Sequence, residues 1–222
     1  MPAAIPHIAA ELLQVLGALL LLTAFAAMGT RRVWGYIGAF ATQSVMLALV
    51  AIVVGYFTRN HDLYIIAVLT LIVKTGAITA ILRAVAHRLP MQREPRLFVT
   101  PAVSLLVAST LTLLAFFASP TVVAAGTFLN EPPLAVSVAL VLIGLYLLST
   151  RRHALAQVVG LLIIENGLFS GAIAIAYGMP LIVELGILFD ILVAVLVLAL
   201  LMTTINRQGV EVDVGEFRRL KG

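Results

Sequence analysis

Seven stretches of the chain, at about 8–28, 33–58, 62–86, 98–119, 133–150, 153–177 and 180–205, run near the ~20 apolar residues that a helix needs to cross a bilayer. No water completes backbone hydrogen bonds in hydrocarbon, so apolar runs of this length have to be helical. The expected fold is all-α, a polytopic membrane bundle of about seven transmembrane helices. Composition agrees: 62% of the 222 residues are hydrophobic and 11% charged, against an apolar share of roughly 45–50% in soluble domains. The first residues, Met1 to Ile8, lack the basic stretch of a cleaved signal, so the first run is expected to be retained as a span.

Positive charge fixes the expected orientation. Arg31 and Arg32 follow the first run, Arg83, Arg88, Arg93 and Arg96 surround the connection after the third, Arg151 and Arg152 follow the fifth, and Arg207, Arg218, Arg219 and Lys221 follow the seventh. The alternate connections hold Arg59 with the acids Asp62 and Glu131. The positive-inside rule then puts the N-terminus outside and the C-terminus in the cytoplasm, which requires an odd number of spans. The net charge of +4 is used up in these loops and the tail and forms no stripe, so a nucleic-acid partner is not expected. In the fourth run Ser104, Ser109, Thr110 and Thr112 sit among apolar residues and predict a helix packed against protein. The Pro-, Gly- and Thr-rich segment from Ser119 to Pro133 reads as the longest external loop.

The chain also resembles itself. Thr30-Arg31-Arg32 matches Thr150-Arg151-Arg152, and after a two-residue shift Gly38 and Gln43-Ser44 match Gly160 and Glu165-Asn166, with Lys74 falling opposite Asp190. Two parallel three-helix repeats are one reading of this layout. It divides the chain into an N-terminal unit at 1–92, a linking helix and external loop at 93–132, a C-terminal unit at 133–207 and a cytoplasmic tail at 208–222.

Ionisable residues inside the spans are the functional clue, because a charge at the centre of a bilayer costs at least several kcal/mol unless it is paired or hydrated. Glu165 lies about twelve residues into its run, roughly 18 Å along a helix axis and so near the midplane. Asp190 lies about as deep in the last run, and Glu184 sits nearer the surface. Six residues turn Glu184 and Asp190 about 120° apart on a helix, so they address different neighbours. Lys74 is too deep to snorkel, so it either pairs with a carboxylate or is kept neutral by desolvation; a structural salt bridge with Glu165 or Asp190 and a part in a proton relay are the competing readings. Each acid is either a structural hydrogen-bonded group or a carrier of protons, with Asn166 and Gln43 as supporting polar residues. Glu11 and Arg83 read as interfacial, and the four histidines fall at run ends without metal-ligand spacing.

Cysteine is absent, which rules out disulfides and iron–sulfur clusters ligated by this chain. No phosphate- or dinucleotide-binding glycine loop, Gly-x-Ser-x-Gly or His-Glu-x-x-His is present. No cofactor is expected, and any redox centre would belong to a partner. The chain reads as a non-catalytic membrane protein engaged in conduction or assembly. A scaffold with permanently paired acids and a free-standing secondary transporter with its site between the repeats are the competing readings.

The C-terminal third carries a resemblance. Gly160-Leu161-Leu162-Ile163-Ile164-Glu165-Asn166-Gly167, then Pro180-Leu181-Ile182-Val183-Glu184-Leu185-Gly186-Ile187-Leu188-Phe189-Asp190, with the tail from Val212 to Gly222, resembles the hydrogenase-4 component E family. These are membrane subunits of group 4 nickel–iron hydrogenases of the formate hydrogenlyase type. The last three spans are also similar to the K subunit of bacterial complex I and, more remotely, to the C subunit of multisubunit sodium/proton antiporters. The resemblance implies a location in the bacterial or archaeal cytoplasmic membrane. It also implies antiporter-like membrane partners and, indirectly, hydrophilic iron–sulfur and nickel–iron subunits. It further implies that Glu165 and Asp190 belong to a chain of ionisable groups linking redox chemistry to ion translocation. Aligned on Gly160 and Asn166, the K subunit's second-helix glutamate falls on Leu162, one turn from Glu165, and its third-helix glutamate falls on Asp190.

Overall fold

A computed structural model describes residues 7–88, 99–123 and 131–175. Among these, six helices are long and apolar enough to cross a membrane; the seventh expected run, 180–205, lies outside the described residues, as does the tail. The first span is α1 (His7–Gly29) and the second α2 (Val33–Thr58). The third is continuous but changes character along its length, from α3 (His61–Thr70) through a π-helix (Leu71–Ile78) to α4 (Thr79–Arg88). Then come α5 (Pro101–Val123), α6 (Glu131–Thr150) and α7 (Ala154–Ile175).

The turns explain themselves locally. Arg59 adopts the left-handed conformation that ends α2, with φ of 54°, and the Arg59 and Asn60 amides both close onto the Gly55 carbonyl. Asn60 then caps α3 by accepting from the Asp62 amide at 3.0 Å. A two-residue connection of this kind keeps α2 and α3 antiparallel neighbours.

Helices α6 and α7 form the tightest hairpin, and small residues are the reason. The hydrophobic effect does not drive helices together within lipid, so close backbone approach and dispersion have to do so. At Gly160 an added Cβ would lie 2.8 Å from the Leu148 amide nitrogen, and at Gly144 2.8 Å from both the Gly160 carbonyl oxygen and the Ile164 amide nitrogen. Two turns further on, the Ser137 hydroxyl donates to the Gly167 carbonyl at 2.8 Å. Helices α1 and α2 pack on this hairpin, so that Leu20, Met28, Tyr36, Phe40, Leu140, Ile143 and Leu147 are almost wholly enclosed. The glycine pairing of the sequence repeat does not carry over: an added Cβ at Gly38 would meet nothing within 4 Å.

Three expectations change on sight of the fold. The fourth span is not packed on protein along its polar positions: Ser104 is buried, whereas Ser109 and Thr110 are exposed and Thr112 is half-buried. Their hydroxyls turn inward on their own helix, donating to the carbonyls of Leu105, Leu106 and Ala108 at 2.8–3.0 Å, which makes them tolerable without a protein partner. The loop from Ser119 to Pro133 is shorter than its composition suggests, because α5 continues to Val123 and α6 begins at Glu131; residues 124–130 lie outside the described residues. Arg151, expected as one of the loop charges that follow the fifth run, is drawn inward and 2% exposed. Its Nη2 donates to the Met28 carbonyl at 2.7 Å, its guanidinium lies 5.9 Å from the Tyr36 ring centre, and its own carbonyl accepts from Gln157 at 2.9 Å. The C-terminal end of a helix carries partial negative charge from unpaired carbonyls, which is what Arg151 satisfies at α1.

Overpacking generally costs about 1–3 kcal/mol, so Gly160→Val is expected to destabilise the hairpin by about that much. Gly38→Ala, at an open helix position, is expected to be neutral or to stabilise by up to about 1 kcal/mol. Unfolding by increasing denaturant in detergent, followed by circular dichroism, measures both; equal effects at the two sites would contradict the packing described.

Candidate functional site

The centre of the bundle holds four polar side chains from three spans: Gln43 of α2, Lys74 of the π-helix, and Glu165 and Asn166 of α7. Each is at most 4% exposed. Glu165 lies eleven residues beyond the start of α7, about 17 Å along the axis, which puts the cluster deep in the span. Depth was readable from the sequence. Convergence was not, since the residues are separated by up to 123 positions.

The Lys74 Nζ stands 2.6 Å from Glu165 Oε1. It also donates to Asn166 Oδ1 at 3.1 Å. The Asn166 Nδ2 donates in turn to Gln43 Oε1 at 3.0 Å, and Gln43 Nε2 reaches the Leu20 carbonyl of α1 at 3.3 Å. The row has a fixed polarity. A backbone carbonyl only accepts, so Gln43 presents its NH₂ to Leu20 and its oxygen to Asn166, which leaves the Asn166 oxygen facing the lysine. Two acceptors, one anionic and one neutral, therefore converge on one amine. Of the two carboxylates offered by the sequence, Glu165 is the one that Lys74 meets among the described residues; Asp190 and Glu184 lie outside them.

Two features of the site were not foreseen. The first is the π-helix itself: eight residues with a widened turn and Lys74 at their middle, a geometry that often marks functional positions within helices. The Thr79 hydroxyl donates to the Lys74 carbonyl at 3.0 Å and so helps to hold the turn that aims the amine. The second is Phe169, one turn beyond Glu165, whose ring centre lies 5.2 Å from Lys74 Nζ. The ring offers its negative face to the ammonium. Its spacing of four from Glu165 was visible in the sequence, but an apolar aromatic in an apolar span carries no signal until its partner is known.

The arrangement is a buried donor and acceptor close enough for direct proton exchange, framed by two amides that hold their protons. Residues 132–222 match the family described as NADH-ubiquinone/plastoquinone oxidoreductase chain 4L. Hydrogenase-4 component E of Escherichia coli (strain K12) is 30% identical over 186 residues, covering 83% of this chain and 86% of that protein. The chain belongs to the hydrogenase-4 component E family. The component E of Shigella flexneri matches to the same extent. An uncharacterized protein of Mycobacterium tuberculosis (strain ATCC 25618 / H37Rv) is 34% identical over 184 residues, 82% of this chain and 83% of its own. No solved structure matches. By their descriptions, component E and chain 4L are parts of oxidoreductases, and with six apolar helices among the described residues this component E homologue is a multi-pass membrane protein.

The chain 4L match begins near the start of α6. It therefore contributes Glu165, Asn166 and Phe169, whereas Lys74, Gln43 and the Leu20 carbonyl come from the part of this component E homologue that precedes it. The site is built across that boundary.

Breaking a buried ion pair from one side leaves a charge uncompensated, a loss of about 3–5 kcal/mol. Lys74→Met is expected to destabilise the protein by that order, and the double change Lys74→Met with Glu165→Leu to recover most of it. A double-mutant cycle on unfolding in detergent checks this; additive losses would mean that the two side chains do not depend on each other.

Proposed function

We propose that the protein is a non-catalytic membrane subunit of a complex I-like group 4 hydrogenase assembly, of the formate hydrogenlyase type, and that Lys74 and Glu165 form part of its proton-transfer path. One observation carries this reading: a lysine and a glutamate in contact at 2.6 Å within the span interior. In the elementary step the ammonium of Lys74 gives one proton to the Glu165 carboxylate, leaving a neutral amine and a neutral acid. The reverse transfer regenerates the pair. Neutralising both partners removes their mutual attraction, so a shift of either helix becomes easier in the neutral state than in the charged one. Asp190 and Glu184 are the acids proposed to continue the path, with Asn166 and Gln43 in support.

Driving energy would come from electron transfer in hydrophilic iron–sulfur and nickel–iron subunits, passed on through antiporter-like membrane partners. The orientation proposed is N-terminus outside and C-terminus cytoplasmic in a bacterial or archaeal cytoplasmic membrane. The 30% identity to a hydrogenase component over most of both chains supports the assembly, and the chain 4L match supports the complex I-like character.

The enclosure of the pair also suits a non-conducting anchor, in which Lys74 and Glu165 only hold α7 against the third span. Glu165→Gln separates the two readings, because it keeps the shape and a hydrogen bond while removing the titrating oxygen. In membranes or proteoliposomes holding the assembled complex, Glu165→Gln is expected to lower redox-coupled proton movement by roughly a hundredfold, the low end of what a positioned acid–base group supplies. Coupled movement at the wild-type level in the assembled variant would favour the anchor.

A further inference from the structure

A narrow crevice lies between α1, α2, α6 and α7. By their places along the helices, Leu13, Val54, Pro133 and Ile173 line the end nearer the start of α1, and Leu20, Val50 and Ser170 line its floor nearer the middle of the bundle. Its volume open to water is about 30 Å³, room for on the order of two water molecules at ~10–15 Å³ each. The walls are largely apolar, but the floor is not. Ser170, 6% exposed, lines it, and Leu20 supplies the carbonyl that binds Gln43. Asn166 lies one helical turn below Ser170 on the same face of α7. The two amides thus link a residue that lines the crevice to the ion pair: Gln43 bonds to the Leu20 carbonyl, Asn166 to Gln43, and Lys74 to Asn166.

From this placement we infer that Gln43 and Asn166 form a proton-tight seal between water admitted through the crevice and the buried ion pair. An amide side chain offers N–H donors and a C=O acceptor but does not ionise as a carboxyl or an imidazole does. Because the Leu20 carbonyl fixes the orientation of both amides, neither can turn over to present a fresh donor. The row therefore transmits position to Lys74 without transmitting a proton. A path that has to run sideways within the membrane needs such a barrier, since a titratable group at either position would connect the ion pair to one aqueous phase.

This inference rests on the proposed proton-transfer role, and two experiments on the assembled complex address it separately from that role. Asn166→Asp and Gln43→Glu turn the seal into titratable groups. In proteoliposomes each is expected to raise the passive proton leak severalfold and to lower the protons moved per electron while electron transfer continues. An assembled variant that stays as tight and as well coupled as wild type would overturn the seal, as would a loss of assembly without leak in both variants when accompanied by a failure of the second experiment. That experiment uses the absence of cysteine: Ser170→Cys supplies a single thiol at the crevice floor. Silver ion added from the α1 N-terminal face should protect this thiol against later labelling with a maleimide under denaturing conditions, and silver from the opposite face should not. A thiol unprotected from either face would overturn the crevice as a water route. If Ser170→Cys stays unreactive while Glu165→Gln abolishes coupling, the seal falls and the conduction reading stands. If Ser170→Cys is protected and Glu165→Gln couples normally, the crevice stands and the conduction reading falls.

Discussion

The site depends on one contact, the approach of Lys74 to Glu165, both almost completely buried within the bundle. Either side chain alone would carry a heavy desolvation cost, and their attraction compensates only if geometry and secondary hydrogen bonds are good. The surroundings supply both. The π-turn held by Thr79 aims the amine, Phe169 covers it, and Asn166, itself held by Gln43, gives it a second acceptor. Such a network adds little net stability compared with apolar packing of the same volume, so its presence in an otherwise apolar bundle points to work that apolar side chains cannot do.

The scaffold that holds this contact is economical. Small residues let α6 and α7 approach at backbone distance, which sets the height and rotation of Glu165. Arg151 joins the end of α6 to the end of α1 at one face, and the Gln43 bond to Leu20 joins α2 to α1 in the middle. The third span is thereby read against a fixed frame. Its π-helix is the element least like its neighbours, and it carries the lysine.

The meeting of the chain 4L segment with the preceding spans gives the site a composite character. The acid and one amide come from the matched segment, and the base, the other amide and the anchoring carbonyl come from α1, α2 and the third span. Among the described residues, the spans before the matched segment supply the Lys74 that meets Glu165 and the Gln43 that holds Asn166.

The sequence by itself determined the class of the fold and the place of Glu165 and Lys74 along their spans, because span length and polarity are dictated by the bilayer before any tertiary contact forms. It also exposed Glu165 and Lys74 as anomalies, since a charge in an apolar run needs no alignment to be noticed. What it left open was pairing and direction. Lys74 had two acids to choose from, the role of Gln43 and Asn166 was merely supporting, and Ser109, Thr110 and Thr112 of α5 suggested a packed helix although their hydroxyls bond to their own backbone. Arg151 looked like its neighbour Arg152 until the fold buried it against Met28. These questions depend on helix rotation and on distances between residues far apart in the chain. Only the packing of α2, α7 and the third span decides which side chains share a face, and only the Leu20 carbonyl decides which way two amides point.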